Sequence, residues 1–291
     1  MSDLKTWDYL RREAKDRLEA GGFVGGDQEA QWLVEEVSGM NSAELIASAK
    51  TFASVRATEQ LDTLLERRLI GEPLQYVLGS WSFRGIDLMV DRRVLIPRPE
   101  TETLVGLALI EAQRMGLKPG EVVVDLGTGS GAIAIGLAAQ LFEAAIWATD
   151  VDSRALEVAR ANVAARGRMS AGIQIVQGSW FDALPHELSG RVRLVVSNPP
   201  YIAEDEIPEL PPEVIDYEPF SALVSGPTGS EHIETILLAA QDWLADDGVV
   251  LIELDPRRAK KTHTYALSVG FAGAVIENDL TGQPRVLIAR R

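Results

Sequence analysis

An apolar run, Leu194-Val195-Val196, stops at Ser197 and is followed at once by Asn198-Pro199-Pro200-Tyr201. Two consecutive prolines remove two backbone donors and fix two φ angles at about −65°, so this tetrapeptide is a stiff, open loop at a strand end. The Asn198 side-chain oxygen and a proline carbonyl outside any sheet ladder are two acceptors that cannot rotate away. Two fixed acceptors facing one site suit an NH2 group, and the ring of Tyr201 suits a flat group beside it. An amide or aryl-amine nitrogen is a poor nucleophile because its lone pair is delocalised. Accepting both of its N–H bonds holds that nitrogen in line with an electrophilic methyl and stabilises the positive charge that develops on it. Asn198, Pro199 and Tyr201 are therefore the candidate catalytic residues, and Asn198, Pro199, Pro200 and Tyr201 together the candidate substrate-binding loop. No metal, histidine or thiol is needed for this chemistry.

A second constellation lies about 70 residues earlier, in Val122-Val123-Val124-Asp125-Leu126-Gly127-Thr128-Gly129-Ser130-Gly131. Glycines between a buried strand and a helix let the chain turn sharply and let a ligand approach the main chain, while the helix offers free N–H groups to an anion. Asp150 ends the next strand, where a carboxylate can accept hydrogen bonds from both hydroxyls of an adenosine ribose. Two cofactors fit. Gly127, Gly129 and Ala132 satisfy a dinucleotide spacing, which admits NAD. S-adenosylmethionine fits equally, its carboxylate at the helix N-terminus and its ammonium group near Asp125. The glycine loop alone does not separate the two. The Asn-Pro-Pro-Tyr loop does, because hydride transfer gives it no comparable task. A Walker-type nucleotide site is excluded, since no Gly-Lys-Ser/Thr follows the glycines.

The elements that must position these residues follow from the pattern. Residues 1 to about 70 read as a small helical bundle: Leu4, Trp7, Leu10, Ala14 and Leu18 on one face, Asp27 capping a second helix, Asn41 to Glu44 forming a capping box, and Thr58 capping a fourth helix. Trp7 and Trp32 are expected in its core. From Gly79 to Pro97 the period alternates, with Asp91-Arg92 as a turn signal, which predicts a β-hairpin. Beyond Glu121, strands over 121–126, 144–149, 172–177, 192–197, 248–254, 272–277 and 284–289 alternate with helices near 130–141, 153–166 and 231–246. That alternation argues for βαβ units on a parallel sheet, with the last two strands antiparallel because no helix fits between them. The expected organisation is a helical domain over 1–78, a hairpin linker over 79–97 and an α/β domain over 98–291.

Bulk properties narrow the function. There is no cysteine among the 291 residues, which removes disulfides, thiolate catalysis and cysteine metal sites. A formal charge of −15 opposes a phosphate backbone, so no stable nucleic-acid binding is expected. No apolar stretch is long enough to span a membrane and the first residues are not a leader, which points to a cytoplasmic protein. His186, His232 and His263 are scattered and read as ordinary surface or structural histidines. Glu204-Asp205-Glu206 reads as a solvated face.

With these residues in hand, the chain resembles the HemK family of protein-(glutamine-N5) methyltransferases, in its branch acting on release factors. "GEPLQYVLGSWSFRG" (71–85), "VLIPRPETETLV" (94–105), "VVVDLGTGSGAIAIGLA" (122–138), "GSWF" (178–181), "VSNPPYI" (196–202), "DYEPFSAL" (216–223) and "DLTGQPRVLIARR" (279–291) come in the family's order. The stretch "IPRPETE" is the discriminating one, since the related ribosomal-protein enzyme differs there. The resemblance implies a seven-stranded, Rossmann-like class I methyltransferase domain behind a helical domain and a hairpin. It implies S-adenosylmethionine as cofactor, held by Gly127, Thr128, Gly129, Ser130, Gly131, Asp150 and Trp180, with Asn198 beside it and Trp180 near the adenine. The implied substrate is the glutamine of the Gly-Gly-Gln loop of peptide chain release factors, gripped by Asn198 to Tyr201, with consequences for translation termination. The helical domain would help to recognise the release factor, and a monomer is expected.

Three stretches depart from the family pattern. Ser179 stands where relatives often carry an acid, residues 253–267 replace a glycine-containing stretch, and residues 225–233 modify a glycine-rich loop. Two other readings compete. An adenine N6-methyltransferase could use the same loop on an exocyclic amine, but a flipped base needs a duplex-binding surface that the charge disfavours. A non-catalytic cofactor-binding protein would not need Asn198 and Asp150 intact.

Overall fold

Helices form at the amino end because apolar residues recur at helical spacing, and three of the five runs begin at a side-chain cap, from Thr6, Asn41 and Ser54. In the computed structural model, which describes residues 4–291, these are α1 (Trp7–Ala20), α2 (Gly26–Ser38), α3 (Ser42–Ala47), α4 (Val55–Leu69) and α5 (Leu74–Leu78). Met1, Ser2 and Asp3, part of the start read as lacking a leader, lie outside the described residues. The capping box at Asn41 and Glu44 forms as the sequence predicts. Two caps differ from expectation. Gly25, left-handed at φ 84°, precedes α2, and Asp27 inside that helix instead pairs with Arg11 at 2.6 Å. Ser54 rather than Thr58 caps α4, its hydroxyl accepting from the Ala57 N–H. Trp7, Leu10, Leu18, Leu33, Leu61 and Leu65 fill the bundle core, whereas Trp32 and Leu4 are exposed. Arg68 is the polar centre of this unit: it is buried, forked onto Glu29 at 2.7 and 3.0 Å, and its guanidinium lies over the Phe23 ring.

Next come β1 (Ser80–Phe83) and β2 (Ile86–Met89), antiparallel and joined by Arg84-Gly85, both with positive φ. The hairpin turn is therefore this pair and not Asp91-Arg92, because a two-residue connection needs the left-handed backbone that glycine allows. Proline at its first position and acids in its first turn start α6 (Pro99–Arg114), a helix the strand pattern did not announce. The alternating region then runs β3 (Val122–Leu126), α7 (Ala132–Ala138), β4 (Ala145–Asp150), α8 (Ser153–Ala165), β5 (Ile173–Gln177), β6 (Val192–Ser197), β7 (Ile202–Ala203), α9 (Pro212–Tyr217), β8 (Val224–Gly226), α10 (Glu231–Trp243), β9 (Leu244–Glu253), α11 (Ala259–Ser268), β10 (Gly273–Asn278) and β11 (Pro284–Arg290).

Seven of these strands form one sheet in the order β10-β11-β9-β6-β3-β4-β5, parallel except where β11 pairs antiparallel with β9 and β10. Side chains alternate between its faces: Val123, Leu194, Val196, Val249 and Leu251 pack with α6, α7 and the hairpin residues Phe83 and Leu88. Val124, Leu126, Val195, Val250 and Ile252 pack with α10 and α11 on the other face. Burying strands on both faces explains why they read as continuous apolar runs. Strand order reverses between β3 and β6, the position where open α/β sheets bind ligands beyond their carboxyl ends.

Contacts divide the chain into two units, residues 1–79 with 212–217, and residues 80–211 with 218–291. The hairpin, expected as a linker, packs in the second unit. The short α9 belongs with the first, where Glu213 reaches Arg68 at 3.1 Å and the Tyr217 hydroxyl donates to the Ile70 carbonyl. No helix among the described residues is long and apolar enough to cross a membrane.

Candidate active site

The two loops singled out in the sequence leave adjacent strands at the switch point. Between them lies a cavity of about 500 Å3 lined by Gly127, Gly129, Asp150, Trp180, Asn198 and Pro200, among others, within the size range of small-molecule sites. Gly127, Gly129 and Gly131 all have positive φ, at 72°, 54° and 85°. The loop is stitched to β4 by main chain, with the Gly127 and Thr128 N–H groups donating to the Thr149 carbonyl at 2.9 and 2.8 Å. Asp150 finishes that strand. Its Oδ2 accepts from the Gly129 N–H at 2.9 Å and its Oδ1 from the Asp152 N–H at 3.0 Å. Asp150 lines the cavity, and an ionised carboxylate with about four acceptor positions keeps capacity there beyond these main-chain bonds.

Trp180 adopts φ 46°, a left-handed conformation that costs a bulky residue roughly 1–2 kcal/mol. The strain brings its ring over the glycine loop, where a Cβ on Gly127 would stand 3.3 Å from Trp180 Cζ3. Gly127 is thus required twice, for its dihedral and for this close approach. His232 meets Trp180 edge-on, with centroids 5.2 Å apart, and burial holds its imidazole below the ordinary range. His232 therefore belongs to the cavity wall and is not a scattered surface group, while His263 bonds the Ala274 carbonyl and His186 lies near Trp243.

Other candidates sit behind the wall. Asp125 is wholly buried, does not line the cavity, and accepts from the Thr128 hydroxyl at 2.6 Å and the Ala134 N–H at 3.0 Å. It braces the loop and the first turn of α7, so its position does not support the expected contact with an ammonium group. Burial pushes it up to about 7, with the charge of Asp150 adding to the effect. Thr128 and Ser130 are buried as well, and the Ser130 carbonyl accepts from Asn162 on α8. Asn162 also exchanges two hydrogen bonds with the Met89 main chain, tying the glycine loop to the hairpin. A lone amide on the apolar face of α8 was the only sequence signal for it.

At the other wall, Asn198 lines the cavity and Pro199 is buried beneath it. No described residue donates a hydrogen bond to the Pro199 carbonyl. The Asn198 Nδ2 donates to Thr101 Oγ1 at 3.1 Å, and Thr101 Oγ1 donates to Glu253 Oε2 at 2.8 Å. Glu253 is fully buried on β9, and burial pushes its carboxyl up to about 7. Tyr201 corrects one expectation: its ring packs against the apolar core on the α10 face and does not line this cavity, and burial and the Glu253 charge raise its phenol. The exposed aromatic on the cavity is Phe220. Beside it, buried Glu218 pairs with Arg98 at 2.5 Å and accepts from the Ile96 N–H at 3.3 Å. The motifs "IPRPE" and "DYEPF", about 120 residues apart, are thus one ion-paired wall.

The departing stretches meet one another. Arg258 donates to the Thr228 carbonyl at 2.9 Å, its guanidinium lying against Gly229, and pairs with Glu206 at 2.7 Å. Arg257 reaches Glu206 at 3.0 Å, so Glu206 is a shielded ion-pair partner and not part of a solvated face. Ser179 is exposed at the cavity edge.

A doubly wound seven-stranded sheet with a glycine loop after one central strand, an acid after the next and this cavity between defines a Rossmann-like class I methyltransferase fold. A family model for the PrmC N-terminal domain matches residues 9–79, and one for the methyltransferase small domain matches residues 107–215. A release factor glutamine methyltransferase of Deinococcus radiodurans is 37% identical over 97% of this chain and 97% of its own length. One from Agrobacterium fabrum is 32% identical over 96% of this chain and 95% of its own. The hMettl16 catalytic domain in complex with MAT2A 3'UTR hairpin 1 aligns with a TM-score of 0.56 at 17% identity, covering 81% of this chain and 80% of that one, which speaks for the fold alone. The chain belongs to the release factor glutamine methyltransferase family. It is an S-adenosylmethionine-dependent methyltransferase.

Proposed function

We propose that this chain methylates the side-chain amide nitrogen of the glutamine in the Gly-Gly-Gln motif of peptide chain release factors, in the cytoplasm. The observation that carries this reading is the state of Asn198. Its NH2 end is spent on Thr101, which leaves its oxygen as an acceptor at the cavity wall, and the carbonyl of the adjoining Pro199 takes no hydrogen bond from a described residue. A primary amide brings two N–H donors to those two acceptors. S-adenosylmethionine, when bound, supplies a methyl group on a positively charged sulfur. Asp150 fits the ribose hydroxyls, Gly127 and Gly129 leave room for close approach, and Trp180 offers its ring to the adenine. Asn198 and Pro199 would hold the nitrogen on line and stabilise its positive charge as its lone pair takes the methyl and the methyl–sulfur bond breaks with the electron pair left on sulfur, after which the nitrogen gives up one proton to water. Pro200 walls the cavity, and Tyr201 supports the loop from behind.

The helical unit is assigned to recognition of the release factor, and it exposes Ile46, Phe52 and Val55. The test is mass spectrometry of unmethylated release factor after incubation with the protein and S-adenosylmethionine. One added methyl on the Gly-Gly-Gln glutamine is expected. Methyl appearing on ribosomal protein or DNA offered in parallel, and not there, would overturn the substrate.

A further inference from the structure

A hydroxyl has one proton to give. Thr101 gives it to Glu253, whose ionised form can only accept, and with Glu253 in that form Thr101 can only accept from Asn198. The amide end turned toward Thr101 must then be NH2, and the end turned away from it must be oxygen. The direction of both bonds is set by the one charged group in the chain, on a strand 55 residues away from Asn198 in sequence.

We propose that Thr101 and Glu253 are positioning residues for methyl transfer, fixing the Asn198 amide with its oxygen toward the substrate. This rests on the reading of Asn198 as the group that binds the substrate amide. The torsion that swaps the two ends of an asparagine amide is soft and nearly two-fold, so packing alone does not choose between them. The wrong choice turns an NH2 group toward the NH2 of a glutamine, donor against donor, and leaves the substrate nitrogen with one acceptor in place of two.

The setting suits that task. Thr101 and Glu253 are 4% and 0% exposed, so no water competes for the hydroxyl. Thr101 lies in the first turn of α6, behind the Pro99 that starts the helix, and Glu253 ends β9 beside β6 in the sheet. A buried carboxylate on a central strand is costly, and an apolar residue would pack there at less cost. Arg285 from β11 offsets the charge, while Glu100 from α6 opposes it. A carboxylate at this position gives Thr101 an acceptor, and the Tyr201 hydroxyl and Arg285 beside it help to hold its charge.

The experiment measures kcat and KM on unmethylated release factor, and the dissociation constant of S-adenosylmethionine, for four variants alongside the wild-type protein. Thr101→Val keeps the shape and removes the hydroxyl, and is expected to lower kcat roughly ten- to a hundred-fold with cofactor affinity within about three-fold. Thr101→Ser restores the hydroxyl and is expected to return kcat to within about three-fold of wild type. Glu253→Met fills the same volume without an acceptor and should resemble Thr101→Val, which covers the case where either single variant unfolds. Asn198→Ala separates the two levels of the argument. If it is inactive while Thr101→Val and Glu253→Met turn over at the wild-type rate, the positioning role is wrong and the reading of Asn198 stands. If all three turn over normally, the reading of Asn198 itself is wrong. A folded Thr101→Ser as slow as Thr101→Val would mean that the threonine serves packing, and would overturn the proposal.

Discussion

The two walls of the cavity are built by different means. The glycine-loop wall is made of main chain: Gly127 and Thr128 bond Thr149, and Gly129 bonds Asp150, all within about 23 residues of sequence. The Asn198 wall is made of side chains drawn from afar, Thr101 lying 97 residues from Asn198 and 152 from Glu253. Main-chain geometry accommodates a ligand by shape and resists single substitutions. A side-chain relay sets the direction of a hydrogen bond and fails when any one member is lost. On the function proposed, binding a common cofactor calls for the first property, and choosing an amide nitrogen as nucleophile calls for the second.

The sharpest way to break this contrast is to remove one group from each wall and compare what is lost. Asn198→Ala should lower turnover by roughly a thousand-fold, in the range seen when a group that meets transition-state charge is deleted, and leave cofactor affinity nearly unchanged. Asp150→Ala should do the reverse. Losing an acceptor for two hydroxyls is expected to weaken S-adenosylmethionine binding roughly ten- to a hundred-fold, with kcat at saturating cofactor close to wild type. Calorimetry for the cofactor and single-turnover methylation for the chemistry separate the two effects. Equal losses in both quantities for both variants would mean that the walls do not divide the work.

The same contrast explains what the sequence made legible. The positions of Gly127, Gly129 and Asp150 at the cavity were readable because they follow from backbone conformation and strand ends, which are local. Asn198 and Pro199 were readable because two prolines after an apolar strand dictate a rigid loop. Thr101, Asn162 and Glu253 were not, because nothing within ten residues of each says what it touches. Glu253 ends an apolar strand much as a solvent-facing residue would, and only the sheet order buries it. Tyr201 was placed on the wrong side for a related reason: the residue after a proline pair can face either way, and the core on the α10 face draws the ring in. The fold followed from alternating apolar runs, while α6 escaped notice because Leu104 to Ile110 run on without a polar break and α11 because its polar residues hide the helical stripe.

A smaller effect tests whether the glycine-loop wall depends on any side chain at all. Asp125 is the one candidate, buried under the loop with Oδ2 bonded to Thr128 and Ala134 and Oδ1 without a partner. Its carboxyl rises from 3.8 to about 7 in the folded protein, chiefly through burial. Between those values the folded chain binds more protons at this site than the unfolded chain, so stability falls as pH rises. The contribution is fully present below the unfolded value and lost by the time pH passes the folded one. Asn at this position keeps the acceptor facing Thr128 and Ala134 and carries no charge. Asp125→Asn should therefore match the wild-type protein at about pH 4 and exceed it in urea unfolding by at least ~1 kcal/mol at about pH 8. Glu253 and Asp150 also rise on folding, but they titrate in both proteins and largely cancel in the difference. A margin that stays constant between the two pH values would show that folding does not raise the Asp125 carboxyl, so that it is ionised in the folded chain as in the unfolded one, and the loop would then rest on a charged side chain.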